Sequence, residues 1–110
     1  MMIPKIIREG ISNFDDGTYC KQYVVHAPEW HIYHGVDGTC DREDYSSAKV
    51  NHFIISESNR FDRLETLVFP ADAEGTVLHM IEVAGGRDLT ADQVLTSFAL
   101  VMMEAGYDTV

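Results

Sequence analysis

Both cysteines and three of the five histidines of the chain lie in one stretch, CKQYVVHAPEWHIYHGVDGTC, which runs from Cys20 to Cys40. Thiolates and imidazoles are the ligands that zinc prefers in proteins, so this stretch has to be considered first as a metal site. The available ligands are Cys20, His26, His31 or His34, and Cys40.

The spacing of these residues argues against a compact zinc site. Zinc ligands usually come as two close pairs, and here no C-x-x-C or H-x(3–5)-H pair stands beside a second pair. If residues 30–36 form a strand, the side chains of His31 and His34 point to opposite faces. We therefore predict no bound metal or other cofactor. The alternative is a small zinc-binding domain organised by the ligands named above.

The sequence also lacks the spacing of a known catalytic motif. A nucleophilic cysteine needs a neighbouring base and a group that orients it, and neither cysteine follows an evident helix start that would activate its thiol. No nucleophile elbow, phosphate loop or H-E-x-x-H motif is present. The glycines of AGGRD, just before Thr90, could expose backbone N–H groups to an anion. The simpler interpretation is a turn that leads into a capped helix. We predict a non-enzymatic protein.

The length of 110 residues fits one domain, residues 1–110, which can bury a core without a disulfide or a metal. The chain starts without a hydrophobic signal region, and its longest apolar run, Phe98 to Met103, is too short to cross a bilayer. These features predict a cytoplasmic protein in which both cysteines are reduced thiols.

Eighteen acidic and eight basic side chains give the chain a formal charge of −10. A field of this sign repels nucleic acid phosphates and anionic membranes, and it attracts the basic surfaces of other proteins. We predict a protein partner with a basic surface and no direct binding to nucleic acid or membrane. The acidic cluster Asp37, Asp41, Glu43 and Asp44 is the candidate to replace phosphates on such a partner.

Two pairs of strand-like segments predict two hairpins in a small antiparallel sheet. Residues 19–25 and 30–36 are rich in aromatic and β-branched side chains, and a short link that contains Pro28 separates them. Residues 63–69 and 76–83 repeat this arrangement around a link with Pro70 and Gly75.

A helix is predicted after each hairpin. Thr90 and Gln93 form a capping box, and apolar residues recur with helical spacing from Val94 to Ala105. A shorter helix is predicted through SSAKVNHFII, residues 46–55, although its β-branched residues also suit a strand. The predicted fold class is therefore α+β, with helices packed against the sheet. The order of elements suggests a ββα-ββα duplication.

Two apolar features stand outside this pattern. The leading segment places Ile3, Ile7, Ile11 and Phe14 near one helical face, and it is equally consistent with an edge strand. On the C-terminal helix, Leu100 and Met103 fall on the side away from the core. We expect these two side chains to meet a partner or a second copy in a homodimer, or to pack under the N-terminal segment.

The hairpin LETLVFPADAEGTV, residues 64–77, resembles an E-T-[ML]-V-F hairpin, and YSSAKVNH, residues 45–52, resembles an A-x-x-x-H helix. Both occur in short phage-encoded accessory proteins of unknown function, where the order of the two motifs differs. The resemblance implies a phage protein and assigns no catalytic residue. Small acidic phage proteins include inhibitors of bacterial defence complexes, such as anti-CRISPR proteins, which mimic nucleic acid at basic channels.

Overall fold

The computed structural model of the protein describes residues 3–27, 32–33, 49–60, 62–76 and 84–104, and only the backbone for residues 32–33, 49–50 and 84–87. The elements are β1 (Lys5–Asn13), β2 (Tyr19–His26), β3 (Ile32–Tyr33), β4 (Lys49–Val50), β5 (His52–Ser58), β6 (Glu65–Ala71), β7 (Ala84–Arg87), α1 (Ala91–Thr96) and α2 (Phe98–Glu104). Five strands form an antiparallel sheet in the order β1-β2-β5-β6-β7, and β3 pairs with β4. The α+β fold class is confirmed.

The main core lies between one face of the five-stranded sheet and the two helices. Facing positions of neighbouring strands share this face, so Val25, Phe53 and Pro70 stand side by side across the sheet. Phe53 meets Phe98 of α2 edge to face, with ring centroids 5.5 Å apart. The buried members of this core are Tyr23, Val25, Ala27, Phe53, Ile55, Val68, Ala91, Val94, Phe98, Val101 and Met102.

A second, smaller buried cluster lies on the opposite face of the sheet. It consists of Val24, Ile54 and Ala71. The turn after β6 approaches this face closely, because a Cβ on Gly75 would lie 3.0 Å from a methyl carbon of Val24. The central strands β2 and β5 are therefore buried on both faces, which explains their uninterrupted apolar runs.

The helix predicted for residues 46–55 is wrong. Residues 49–50 form β4, and residues 52–58 form β5 in the middle of the sheet. The run of Phe53, Ile54 and Ile55 is fully buried, two residues toward the helices and one toward the other face. A continuous apolar run that is buried on both faces is typical of a central strand. The A-x-x-x-H segment thus does not form the helix that the resemblance implies.

The first predicted hairpin is also wrong in its pairing. Residues 19–25 do form a strand, but its neighbours are β1 and β5, and Ile32–Tyr33 pairs with Lys49–Val50 instead. In the second hairpin β6 is confirmed, and its described return strand is β7. Residues 77–83 lie outside the described residues. The duplication is not confirmed, because the strands β4 and β5 occupy residues assigned to its first helix.

The C-terminal helix is confirmed together with its capping box. The Thr90 hydroxyl accepts a hydrogen bond from the Gln93 backbone N–H at 3.1 Å, and the Gln93 side chain accepts one from the Thr90 N–H at 2.8 Å. The helical segment is divided at Ser97 into α1 and α2. The glycines before it lie in β7, and the turn is made by Asp88, whose φ is 61°.

Candidate functional site

The edge strand β1 is the most exposed of the sheet strands whose side chains the structure describes. Of the two structures consistent with the N-terminal segment, the edge strand is the one formed. All its residues are exposed except Ile6, which packs against the main core. Ile11 is 61% exposed, Ile7 is 39% exposed, and Ile3 just before the strand is 58% exposed. Large apolar side chains are thus exposed along an edge to which the described part of the chain adds no further strand.

The register shows which backbone groups of β1 face outward. Phe14 donates its N–H to the Thr18 carbonyl, so residues 14 and 18 form a hydrogen-bonded pair of the antiparallel ladder. Bonded pairs alternate with non-bonded ones, and the register then places Ile11 opposite Lys21 in a non-bonded pair. The N–H and C=O of Ile11 therefore point away from β2. They are available to a further strand.

An open depression of about 310 Å³ adjoins this edge on the helix-bearing side of the sheet. It is lined by Glu9, Gly10, Ile11, Lys21 and Tyr23. A strand added to β1 would place every second side chain over this depression, because side chains alternate between the two faces. The backbone edge supplies hydrogen bonds, and the depression supplies a site for side-chain selection.

Two features of β1 restrict indiscriminate pairing at the edge. The register shifts between Ile6 and Arg8, which places a bulge at Ile7. Lys5 and Arg8 add positive charges to the strand. Bulges and edge charges are the usual protection of natural edge strands against aggregation. The stretch from Arg8 to Asn13 keeps a regular register and is the part suited to a partner.

Leu100 and Met103 of α2 are exposed as predicted, by 63% and 49%. The helix α2 packs near β7, and β7 lies at the opposite edge of the sheet from β1. The apolar residues of β1 and those of α2 are therefore two separate surfaces. The alternative in which Leu100 and Met103 pack under the N-terminal segment is wrong. That segment forms β1 at the other edge of the sheet, and both side chains are exposed.

The start of α1 is fixed to the sheet by polar side chains. Glu57, only 6% exposed, accepts hydrogen bonds from the Tyr19 hydroxyl and, at 2.7 Å, from the Ala91 backbone N–H. The bond to the Glu57 carboxylate raises the pKa of Tyr19. The buried Thr66 hydroxyl donates to the Leu89 carbonyl at 2.6 Å. Each of these groups has a partner within the fold, so together they fix the start of α1 to the sheet.

A more exposed contact lies beside this network. The Tyr23 hydroxyl donates to the Asp92 carboxylate at 2.7 Å, and Lys21 lies 3.5 Å from the other oxygen of Asp92. The hydrogen bond from Tyr23 holds the pKa of Asp92 below its usual value, and burial raises the pKa of Tyr23. Lys21 also stands over the Tyr23 ring, 4.9 Å from its centroid. This cluster joins β2 to α1.

The zinc site considered as an alternative cannot use Cys20 and His26 together. The two residues stand at opposite ends of β2, and six steps of about 3.3 Å separate them by roughly 20 Å. Cys20 is a free thiol whose Sγ lies 3.5 Å from the Ser56 hydroxyl. His31, His34 and Cys40 lie outside the described residues, and so does the acidic cluster Asp37, Asp41, Glu43 and Asp44.

Among the residues that the structure describes, no three histidine, cysteine, aspartate or glutamate side chains come together as metal ligands. Sequence reasoning did miss one contact between imidazoles, because it assigned His52 to a helix. His52 faces His26 across β2 and β5, and the two rings stack with centroids 4.7 Å apart. Twenty-five residues separate them along the chain, so only the register of the sheet reveals the contact.

No family model, curated protein or solved structure matches this chain. Within the described residues, no helix is long and apolar enough to span a membrane. Function therefore has to be inferred from the surfaces of the molecule itself.

Proposed function

We propose that the chain is a non-enzymatic protein-binding domain whose β1 edge accepts an extended segment of a partner protein. The observation that supports this most directly is the 61% exposure of Ile11, whose backbone N–H and C=O point away from β2. Addition of a strand to an open sheet edge is a common mode of peptide recognition, in which backbone hydrogen bonds give affinity.

The charge of the chain indicates the chemistry of the partner. A formal charge of −10 favours association with a basic surface and speeds the encounter with it at low salt. The cluster Asp37, Asp41, Glu43 and Asp44 is the proposed acidic contact. Nucleic-acid-handling and host-defence complexes have basic surfaces of this kind. The resemblance to phage accessory proteins makes them the proposed class of target.

The β1 edge is tested with the variant Ile11→Pro. Proline removes an N–H that points away from β2, so the sheet keeps its hydrogen bonds while a further strand loses one of its own. Ile11→Thr is the matched control, since it keeps the N–H and the β-branched shape but shortens the apolar side chain. Tagged wild type and both variants are passed through lysate of the native host, and bound proteins are quantified by mass spectrometry.

A partner of the β1 edge is depleted strongly by Ile11→Pro and only partly by Ile11→Thr. Purified partner then gives dissociation constants for the three proteins. A partner that binds the proline variant as well as the wild type contradicts recognition at β1. Loss of that partner with Leu100→Glu and Met103→Glu would instead assign binding to α2.

The acidic contact is tested separately. Changing Asp37, Asp41, Glu43 and Asp44 to their amides should slow association and make it less dependent on salt, with little change in melting temperature. Nucleic acid should compete with the wild type for a partner that normally binds phosphates. Association that depends neither on salt nor on these four residues contradicts nucleic acid mimicry at this cluster while leaving the β1 proposal standing.

The variants Leu100→Glu and Met103→Glu also test self-association. If Leu100 and Met103 form a two-fold contact, changing both to glutamate converts a dimer into a folded monomer, because each new charge would face its symmetry mate. Light scattering at high concentration measures this directly. A monomeric wild type contradicts the homodimer.

A further inference from the structure

The contact between His26 and His52 has a geometry suited to more than ring stacking. Ala27 donates its N–H to the Asn51 carbonyl at 2.9 Å, so residues 27 and 51 form a hydrogen-bonded pair of the ladder. The next pair in the register, His26 and His52, is then a non-bonded pair, whose Cα atoms approach to about 4.5 Å and whose side chains stand closest. Both imidazoles project from the face of the sheet opposite α1 and α2.

We propose that His26 and His52 form a two-histidine site that binds a divalent transition-metal ion such as Cu²⁺, Ni²⁺ or Zn²⁺, with water in the remaining coordination positions. Imidazole suits all three ions. This site differs from the zinc site considered from the sequence, because it excludes Cys20 and takes its second ligand from β5. It does not depend on the proposed recognition at β1.

Metal binding requires the two rings to leave their stacked orientation. Two metal–nitrogen bonds of about 2.0–2.1 Å in a tetrahedral arrangement hold the two nitrogens roughly 3.4 Å apart. The ring centroids are 4.7 Å apart and the rings are inclined by 27°. Because a metal lies in the plane of each imidazole that binds it, both rings must rotate about χ1 and χ2 until one nitrogen of each points at the ion. Both side chains are half-buried, so such a rotation does not disturb the main core.

Charges of both signs lie around the pair, and Arg8 of β1 is one of them, since its guanidinium lies 3.4 Å from the Glu74 carbonyl. Asp72 follows Ala71, the residue opposite His52 in β6, and the negative charges of Asp72 and Glu74 both act on His52. Lys5 of β1 lies opposite His26 and opposes binding, but its side chain is exposed and can extend into solvent.

Metal binding at this pair should also depend on pH. Metal binds the neutral imidazole, so a proton and a metal ion compete for each ring. We expect binding to be lost as the pH falls toward 5, where imidazoles are ordinarily protonated.

The test is titration of the metal-free full chain with NiCl₂ and ZnCl₂ by calorimetry, for the wild type and the variants His26→Asn, His52→Asn and the double variant. Either single variant should weaken binding by at least about tenfold, the lower end of what even an outer-shell partner contributes. The double variant should be little worse than either single one, because two ligands of one ion act as a unit. His79→Asn is the control and should bind as the wild type does.

A second measurement needs no variant and is independent of their folding. Substoichiometric Cu²⁺ added to ¹⁵N-labelled wild type should broaden the amide signals of Ala27 and Asn51, while Cys20, at the far end of β2, stays sharp. Broadening centred elsewhere overturns the proposal. So do single variants that bind within twofold of the wild type, additive losses in the double variant, or a loss caused by His79→Asn. In each of these cases the metal binds at other residues.

Discussion

Removal of the Glu57 carboxylate should destabilise the protein more than the loss of any exposed acidic residue. Glu57 is buried and joins β2, β5 and α1 by accepting hydrogen bonds from the Tyr19 hydroxyl and the Ala91 backbone N–H. In Glu57→Ala the Ala91 N–H stays buried without a partner, which costs about 1–3 kcal/mol. The lost bond from Tyr19 adds about 1 kcal/mol, since water reaches this half-buried hydroxyl.

The sum is about 2–4 kcal/mol in the free energy of unfolding, or a fall of roughly 10 °C in melting temperature for a domain of this size. Glu57→Gln keeps an acceptor for Ala91 and loses only the charge assistance, so its cost should be about 1 kcal/mol. Urea unfolding monitored by circular dichroism measures both. Glu9→Ala, at an exposed position of β1, is the matched control and should change stability by less than about 0.5 kcal/mol.

A double-mutant cycle with Tyr19→Phe isolates the contact itself. The coupling energy between positions 19 and 57 should be at least about 0.5 kcal/mol, as for residues joined in one hydrogen-bond network. The reasoning is refuted if Glu57→Ala costs less than 1 kcal/mol, or if the two substitutions are additive. Either result means that the carboxylate does not hold α1 on the sheet.

Three further predictions concern local conformation and titration. Because burial lowers the pKa of His52 from the ordinary 6.5, the unfolded chain binds more protons just below that value, and the free energy of unfolding should fall as the pH drops through about 6.5. His52→Asn should flatten this slope in urea titrations at pH 7.5 and 5.5, and an unchanged slope contradicts the assignment. Gly75→Ala should lower the free energy of unfolding by about 1–3 kcal/mol, since φ is 90° and the new Cβ would lie 3.0 Å from Val24. Gly10→Ala is its control in thermal unfolding and should be neutral or slightly stabilising, because a Cβ there has open space. Asp88→Val should cost about 1–2 kcal/mol at its φ of 61°, while Asp88→Asn stays within about 0.5 kcal/mol; equal melting temperatures would show that this turn carries no strain.

The features predicted correctly from the sequence are those determined by neighbouring residues. The capping box of Thr90 and Gln93 needs only three residues of chain, and the helical spacing that follows needs only its own segment. The exposure of Leu100 and Met103 follows from the same helical period. Turn residues and β-branched runs likewise located β2 and β6, because the strand preference of these residues is expressed locally.

The errors come from pairings between distant parts of the chain. A short apolar run such as HFII fits a buried strand and a buried helix equally well, and only its position between β2 and β6 decides for the strand. The partner of β2 is β5 and not the segment next in sequence, because β5 offers Phe53 and Ile55 to the same core. The pairing of His26 with His52 depends on this strand order and was not visible in the sequence, whereas the edge strand β1 was one of the two structures that the sequence allowed.

The open β1 edge and the charge of the chain together distinguish the two ways in which the edge can be occupied. Pairing of β1 with a second copy brings together two chains of charge −10, and their repulsion is strongest at low salt. A basic partner gains from the same field, so its association weakens as salt rises. Lys5 and Arg8 do not reverse this balance, because two positive charges on β1 stand against the net charge of the whole molecule. Self-pairing and recognition of a basic partner should therefore respond to salt with opposite sign, even though both use the backbone groups of Ile11.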